Sequence, residues 1–130
     1  MKARLFTPED YPTIKGWWEG HGVPPVPIEH LPHIGVIVEN DTGMLAAVWV
    51  IEAKCIPWAL AIWPVTSPHL LPFASEEVVR YLIGAAEELA KSEGCRVFNV
   101  FTEKNGLCKW LERSGFTKSS EQVNTYIKAI

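Results

Sequence analysis

Residues 56–101 read IPWALAIWPVTSPHLLPFASEEVVRYLIGAAEELAKSEGCRVFNVF, and the change of period inside this stretch decides the fold. Ile56 to Val65 is almost wholly apolar, which suits a strand covered on both faces and so placed centrally in a sheet. After Ser75, which can act as a cap, Val78, Val79, Leu82, Ile83, Ala86, Leu89 and Ala90 recur at three- and four-residue spacing up to Gly94. That is the pattern of a long helix with one apolar face, ended by glycine. Arg96 to Phe101 then returns to a strand. Two strands joined by a helix of this length lie parallel through a right-handed crossover.

Upstream of this unit, Ile34–Val38 and Met44–Glu52 flank the turn residues Asn40-Asp41-Thr42-Gly43 and read as a hairpin. Gly20 to Pro32 contains Pro24, Pro25, Pro27 and Pro32 and reads as a stiff loop. Lys2–Phe6 is a first strand, and Thr7-Pro8-Glu9-Asp10 opens a helix running to about Glu19. Pro12 is tolerated only near the first turn, which sets the start close to Asp10. Downstream, Gly106–Ser114 is a short helix stopped by Gly115, and Gln122–Ile127 alternates polar with apolar residues as a last strand. The order is β-α-loop-β-β-β-α-β-α-β, an α/β (α+β) fold with a mixed central sheet of about six strands and about four helices. Residues 1–130 form one domain in this reading.

A net charge of −3 provides no basic face for nucleic acid or an anionic membrane, so small or neutral partners are expected. Cys55, Cys95 and Cys108 are odd in number and widely spaced, which reads as reduced thiols in a cytoplasmic protein. No apolar run approaches the roughly 18 residues of a membrane helix, and no leader pattern opens the chain.

Three stretches carry a family likeness: Thr7-Pro8-Glu9-Asp10, Val65-Thr66-Ser67-Pro68 through Ala90-Lys91-Ser92-Glu93-Gly94, and Leu111-Glu112-Arg113-Ser114-Gly115-Phe116. In this order they resemble the GNAT superfamily of acyl-CoA-dependent N-acyltransferases, and the chain also looks like divergent GNAT-like proteins of phage and prophage genomes. The resemblance implies that acetyl-CoA or CoA lies where the fourth and fifth strands part. Its pantetheine arm would follow Trp63, Val65 and Thr66, and its diphosphate would lie near Ser67, His69 and Ser75. Asn105, or Lys104 with a one-residue shift, takes the place of the family's asparagine ahead of the short helix. The acceptor, a small-molecule or protein amine, would enter between the helix carrying Trp17 and Trp18 and the loop carrying His30 and His33.

The chain departs from the family pattern at three points. The family's glycine-rich phosphate loop is missing, and counting back from Gly94 puts Glu77 and Val79 at its glycine positions, with Glu76 and Glu77 as like charges beside the amides a diphosphate needs. Ser75-Glu76-Glu77 also reads simply as capping with dipole compensation. The position of the family's proton-donating tyrosine is Leu111, leaving Tyr126 as a stand-in acid. No glutamate stands on the fourth strand, so Glu52 is the nearest candidate base; it also reads as a solvated strand end. Two functions follow: an acyl-CoA-dependent N-acyltransferase with a degenerate cofactor loop, or a catalytically inactive GNAT-fold module that binds a partner or forms a homodimer.

His30-x-x-His33 with Glu29 has the donors for a metal but no element to fix their spacing, so exposed loop histidines are expected and no metal. His21 lies in the same loop, and one of the three is free to face a substrate. Trp17 and Trp18, about 100° apart on a helix, are not expected to face inward equally, so one should border a groove or a homodimer contact.

Overall fold

The computed structural model describes residues 1–102 and 105–130, Asn105 by its backbone alone. The chain runs β1 (Lys2–Leu5), α1 (Tyr11–Gly20), β2 (Ile34–Asn40), β3 (Gly43–Glu52), β4 (Trp58–Thr66), α2 (Pro72–Ser92), β5 (Val97–Asn99) and α3 (Asn105–Arg113). Short 3-10 turns at Pro8–Asp10 and Ile28–His30 flank α1 and its following loop.

The sheet order is β1-β2-β3-β4-β5, antiparallel except for the parallel β4–β5 pair joined by α2. Alternate residues of β2 and β3 feed two cores, because a pleated strand sends successive side chains to opposite faces. Val36, Val38, Val48 and Val50 pack against Leu82, Ile83 and Ala86 of α2, while Ile37, Ala47 and Trp49 pack against Ile14, Trp17 and Trp18 of α1. Trp17 and Trp18 are therefore both buried, against the expectation that one would border a groove. An indole is large enough for both to reach the same sheet face, and Trp18 stacks on Trp49 with centroids 5.6 Å apart. Gly35 makes this core possible: a Cβ there would stand 2.7 Å from Trp49 Nε1 and 2.8 Å from Phe6 Cβ.

The N-terminal elements are tied by one guanidinium. Arg4 donates from both terminal nitrogens to the Asp10 carboxylate at 2.9 Å and from Nε to Glu39 at 3.0 Å, and Asp10 also accepts the Thr7 backbone N–H at 2.9 Å. Arg4 thereby joins β1, the entry to α1 and β2. This network draws the Asp10 and Glu39 carboxyls below their ordinary range, chiefly through the hydrogen bonds from Arg4.

Four expectations are corrected. The long helix starts at Pro72 with Leu71 as N-cap, and the Ser75 N–H already bonds Leu71 O at 2.8 Å, so Ser75 lies in the first turn and caps nothing. Proline suits a first helical position because its φ is preset and no N–H is wanted there. β4 is interior to the sheet, but Trp58 is 45% exposed because α1 covers only the other end of that face. The strand expected over Arg96–Phe101 shortens to Val97–Asn99, the residues that pair with Trp58–Leu60 of β4. No strand forms at Gln122–Ile127, so among the described residues the sheet has five strands, with three helices; Val123, Tyr126 and Ile127 are exposed, and alternation makes a strand only where an edge and a buried face receive it. At the end of α3, Gly115 takes φ +96° and Phe116 N–H reaches back to Leu111 O at 3.0 Å, a glycine-dependent helix stop. Among the described residues no helix is long and apolar enough to cross a membrane.

Candidate functional site

β4 and β5 are partners only over Trp58–Leu60 and Val97–Asn99. β4 then continues to Thr66 while β5 stops at Asn99, so the parallel pairing ends there and β4 from Ala61 onward has no strand on this edge among the described residues. Asn99 marks the fork, donating from Nδ2 to Ala59 O at 3.1 Å. Clefts at the carboxyl ends of diverging parallel strands are where open α/β sheets receive ligands.

A bulge shapes the wall. The β3–β4 register passes from Trp49↔Ile62 to Ala47↔Val65, which leaves Val48 alone opposite Trp63 and Pro64. Trp63 adopts φ +53°, a backbone conformation that disfavours a non-glycine residue by about 1–3 kcal/mol and recurs at binding sites. Of the two bulge residues only Trp63 has a backbone N–H, since Pro64 has none.

Beyond β4 the loop is short and tied down. Ser67 N–H bonds Leu45 O at 2.8 Å, Leu70 N–H bonds Ser67 O at 3.2 Å, and His69 N–H bonds Ser67 Oγ at 3.4 Å. α2 then begins with no side-chain cap and no acid in its first turn. Because the helix starts at Pro72, Glu76 and Glu77 lie a turn inside it, and the Glu76 carboxylate is paired along the helix with Arg80. The like charge expected beside the first amides is thus displaced from them. The positive end of the dipole faces the loop uncompensated.

The end of α1 docks on the same mouth. His21 Nε2–H donates to Thr66 O at 2.7 Å, and Gly20 lies so close to Pro68 that a Cβ would meet its Cγ at 2.9 Å. Nothing in the sequence pattern singles out His21 from the other loop histidines. Leu71, Phe73 and Phe101, all more than 70% exposed, follow β4 and β5 at this end of the sheet and were likewise unmarked.

Trp63, Val65, Thr66, Ser67 and His69 thus lie together along the wall and loop, with Ser75 one turn into α2. Val65 faces the α1-side core with Trp17 and Trp18, and those two indoles are buried rather than lining an acceptor channel. His30 and His33 are exposed on the proline-rich loop. Glu52 closes β3 opposite Ala59, at the other end of the sheet from Thr66. There it helps burial push the Cys95 thiol up. Leu111 is buried in the α2-side core, and Tyr126 is 90% exposed on the tail. Lys104 and the side chain of Asn105 lie outside the described residues. Among the described residues, no group of three or more His, Cys, Asp or Glu is placed to hold a metal ion.

No family model matches the chain, and no curated protein sequence matches it. Solved structures do. An acetyltransferase from Trypanosoma brucei superposes with a TM-score of 0.68 at 14% identity, over 97% of this chain and 99% of that one. A GNAT family acetyltransferase from Staphylococcus aureus gives 0.65 at 10% identity, over 97% and 98%. An aminoglycoside N-acetyltransferase in complex with CoA gives 0.63 at 17% identity, over 99% and 100%. These likenesses establish the fold, a mixed α+β sheet shared with GNAT acetyltransferases.

Proposed function

We propose that this chain is an acyl-CoA-dependent N-acyltransferase, using acetyl-CoA or another short acyl-CoA and a primary amine as acceptor. The observation that carries the reading is the end of the parallel β4–β5 pairing at Asn99, followed along β4 by the bulge at Trp63 and then by the uncapped start of α2. That arrangement fits an extended thioester cofactor. The bulge at Trp63 interrupts the β3 ladder along this wall, and the first-turn amides of α2 suit a diphosphate.

When bound, acyl-CoA would supply an activated acyl carbon. The chain's own residues contribute binding and orientation: Trp63 to Thr66 as the wall, Ser67 to Leu71 as a fixed loop, and Phe73 and Phe101 as apolar surface at the mouth. Leu111 is buried and Tyr126 stands away on the tail, so neither protonates the leaving thiolate, and Glu52, the candidate base, closes β3 at the other end of the sheet and cannot deprotonate an ammonium acceptor. The acceptor must therefore arrive as a neutral amine, which makes the rate rise with pH through the amine's own pKa. Neither glycine nor arginine lies in Ser67–Leu71, so affinity for the diphosphate rests on backbone amides and is modest.

The buried Leu111 is also the observation that favours the second reading, a GNAT-fold module without catalysis. Calorimetric titration with acetyl-CoA and CoA, followed by a thiol-release assay over small amines and lysine peptides, separates the two. Binding with thiol release supports acyl transfer, and binding without release supports the module. Absence of any heat at about 1 mM ligand, where an affinity of roughly −4 kcal/mol would be seen, ends the cofactor assignment.

A further inference from the structure

Hydrogen bonding in an antiparallel pair alternates, so every second residue turns its N–H and C=O away from its partner strand. Ser67 N–H bonds Leu45 O at 2.8 Å, which makes the adjacent pair Ala46↔Thr66 a non-hydrogen-bonded one. The Thr66 carbonyl therefore points away from β3, to the side on which β5 pairs with Trp58–Leu60 and goes no further. On that edge it is an acceptor that the sheet does not use.

His21 covers it. The imidazole donates from Nε2 to Thr66 O at 2.7 Å, joining the end of α1 to the end of β4. The main chain beneath the imidazole is fixed. His21 N–H bonds Trp17 O and Trp18 O, Gly22 N–H bonds Glu19 O, and Val23 N–H bonds Trp18 O. Gly20 lies against the loop after β4, where a Cβ would stand 2.9 Å from Pro68 Cγ. The ring, in contrast, is exposed, so it can rotate into water and exchange its bond to Thr66 for one to solvent. Both the neutral Nε2–H tautomer and the imidazolium donate, so protonation alone does not release the carbonyl.

We infer that His21 is a displaceable latch on this edge of β4, and that it selects for a ligand arm carrying an amide N–H. An extended arm lying along an open edge pairs with it as an added strand does, and its amide N–H needs the acceptor that the imidazole holds. Such an arm replaces one hydrogen bond to Thr66 O with another. An arm without a donor at that point gains nothing by displacing the ring. The inference rests on the reading of this edge as the place of an acyl-CoA, whose pantetheine arm carries amides.

The test is calorimetric titration of wild type, His21→Ala and His21→Gln with CoA and with adenosine 3′,5′-bisphosphate, which has phosphates but no arm. Removing the latch should tighten CoA binding by about two- to tenfold, the range of one modest hydrogen bond, and leave the bisphosphate unchanged. The amide of His21→Gln can donate to the same carbonyl and should hold the affinity near that of wild type. Nitrogen NMR of wild type should show the His21 Nε2 signal moving to that of a solvated imidazole on saturation with CoA. CoA bound by His21→Ala no more tightly than by wild type overturns the latch alone, and so does an equal gain for the bisphosphate or an Nε2 signal that CoA leaves in place. Absence of CoA binding to all of these proteins at about 1 mM removes the cofactor assignment, and the latch with it.

Discussion

β3 and β5 are both strands of one sheet, yet one is closed on every side and the other is barely held. β3 has antiparallel neighbours on both edges, and its side chains enter a helix-covered core on each face. β5 is three residues long, paired on one edge, with Val97 part exposed and an open cavity beside Phe98. Everything β3 needs lies within the chain. At β5 the chain stops short of completing its own surfaces, and the proposed cofactor site adjoins that incomplete strand. Stability is thus centred on the middle strand, and the proposed function lies towards the open edge.

The largest test of this division is Trp49→Ala. Trp49 is fully buried, stacked on Trp18 and edge-on to Phe6 at 5.4 Å, and its Nε1 has no hydrogen-bond partner among the described residues. Packing alone is removed, so a loss of about 3–5 kcal/mol in urea unfolding is expected. A loss below about 1 kcal/mol would break the comparison, because it would make β3 no better anchored than a surface strand.

Asp10→Asn should be the next largest, at about 1–2 kcal/mol near neutral pH, since it weakens a charge-assisted fork from Arg4. The pH dependence has a definite sign. The Asp10 carboxyl lies below its ordinary 3.8, first through the hydrogen bond from Arg4, with burial opposing. A depressed folded pKa contributes stability above the unfolded value and loses it as pH falls through the folded value. The gap between wild type and Asp10→Asn should therefore close below about pH 4. A gap that stays constant into acid would show that the carboxylate's charge is not what ties β1 to α1.

The same division governs what the sequence made legible. β2, β3 and the apolar face of α2 are readable because burial on both sides forces a period, and the turn at Asn40–Gly43 punctuates it. The place where the parallel pairing ends is readable in outline, since a βαβ crossover sets two strands side by side and Trp63 to Thr66 form the end of the fourth strand. The start of α2 was misplaced because Ser75 is a good cap by type, whereas Pro72 sets the helix by backbone geometry. Trp17 and Trp18 were divided between inside and outside by helical angle alone, which ignores the reach of an indole. His21 was not legible at all: its partner is a backbone carbonyl 45 residues away, which leaves no trace in local pattern. Gln122–Ile127 has the alternation of a strand without a place in this sheet.

Phe73→Asp probes the cleft with two effects of opposite sign. Phe73 is 84% exposed in the first turn of a helix that has no acid there. A carboxylate near the helix N-terminus should raise stability by about 0.3–1 kcal/mol in thermal unfolding. If the same amides receive the cofactor diphosphate, the added charge repels it, and CoA affinity should fall by roughly two- to fivefold at low salt. A gain in stability with unchanged CoA affinity would move the diphosphate away from α2 while leaving the fold untouched.

The smallest expected effect is Tyr126→Ala in dilute protein. The side chain is 90% exposed on a segment without regular structure, so at about 1 µM its truncation should change stability by no more than about 0.5 kcal/mol. Thermal melts of wild type and variant at this concentration make the measurement. A variant already destabilised by more than about 1 kcal/mol when dilute would mean that the tail packs on its own body. In that case β5 would be completed from within after all, and the contrast with β3 would vanish.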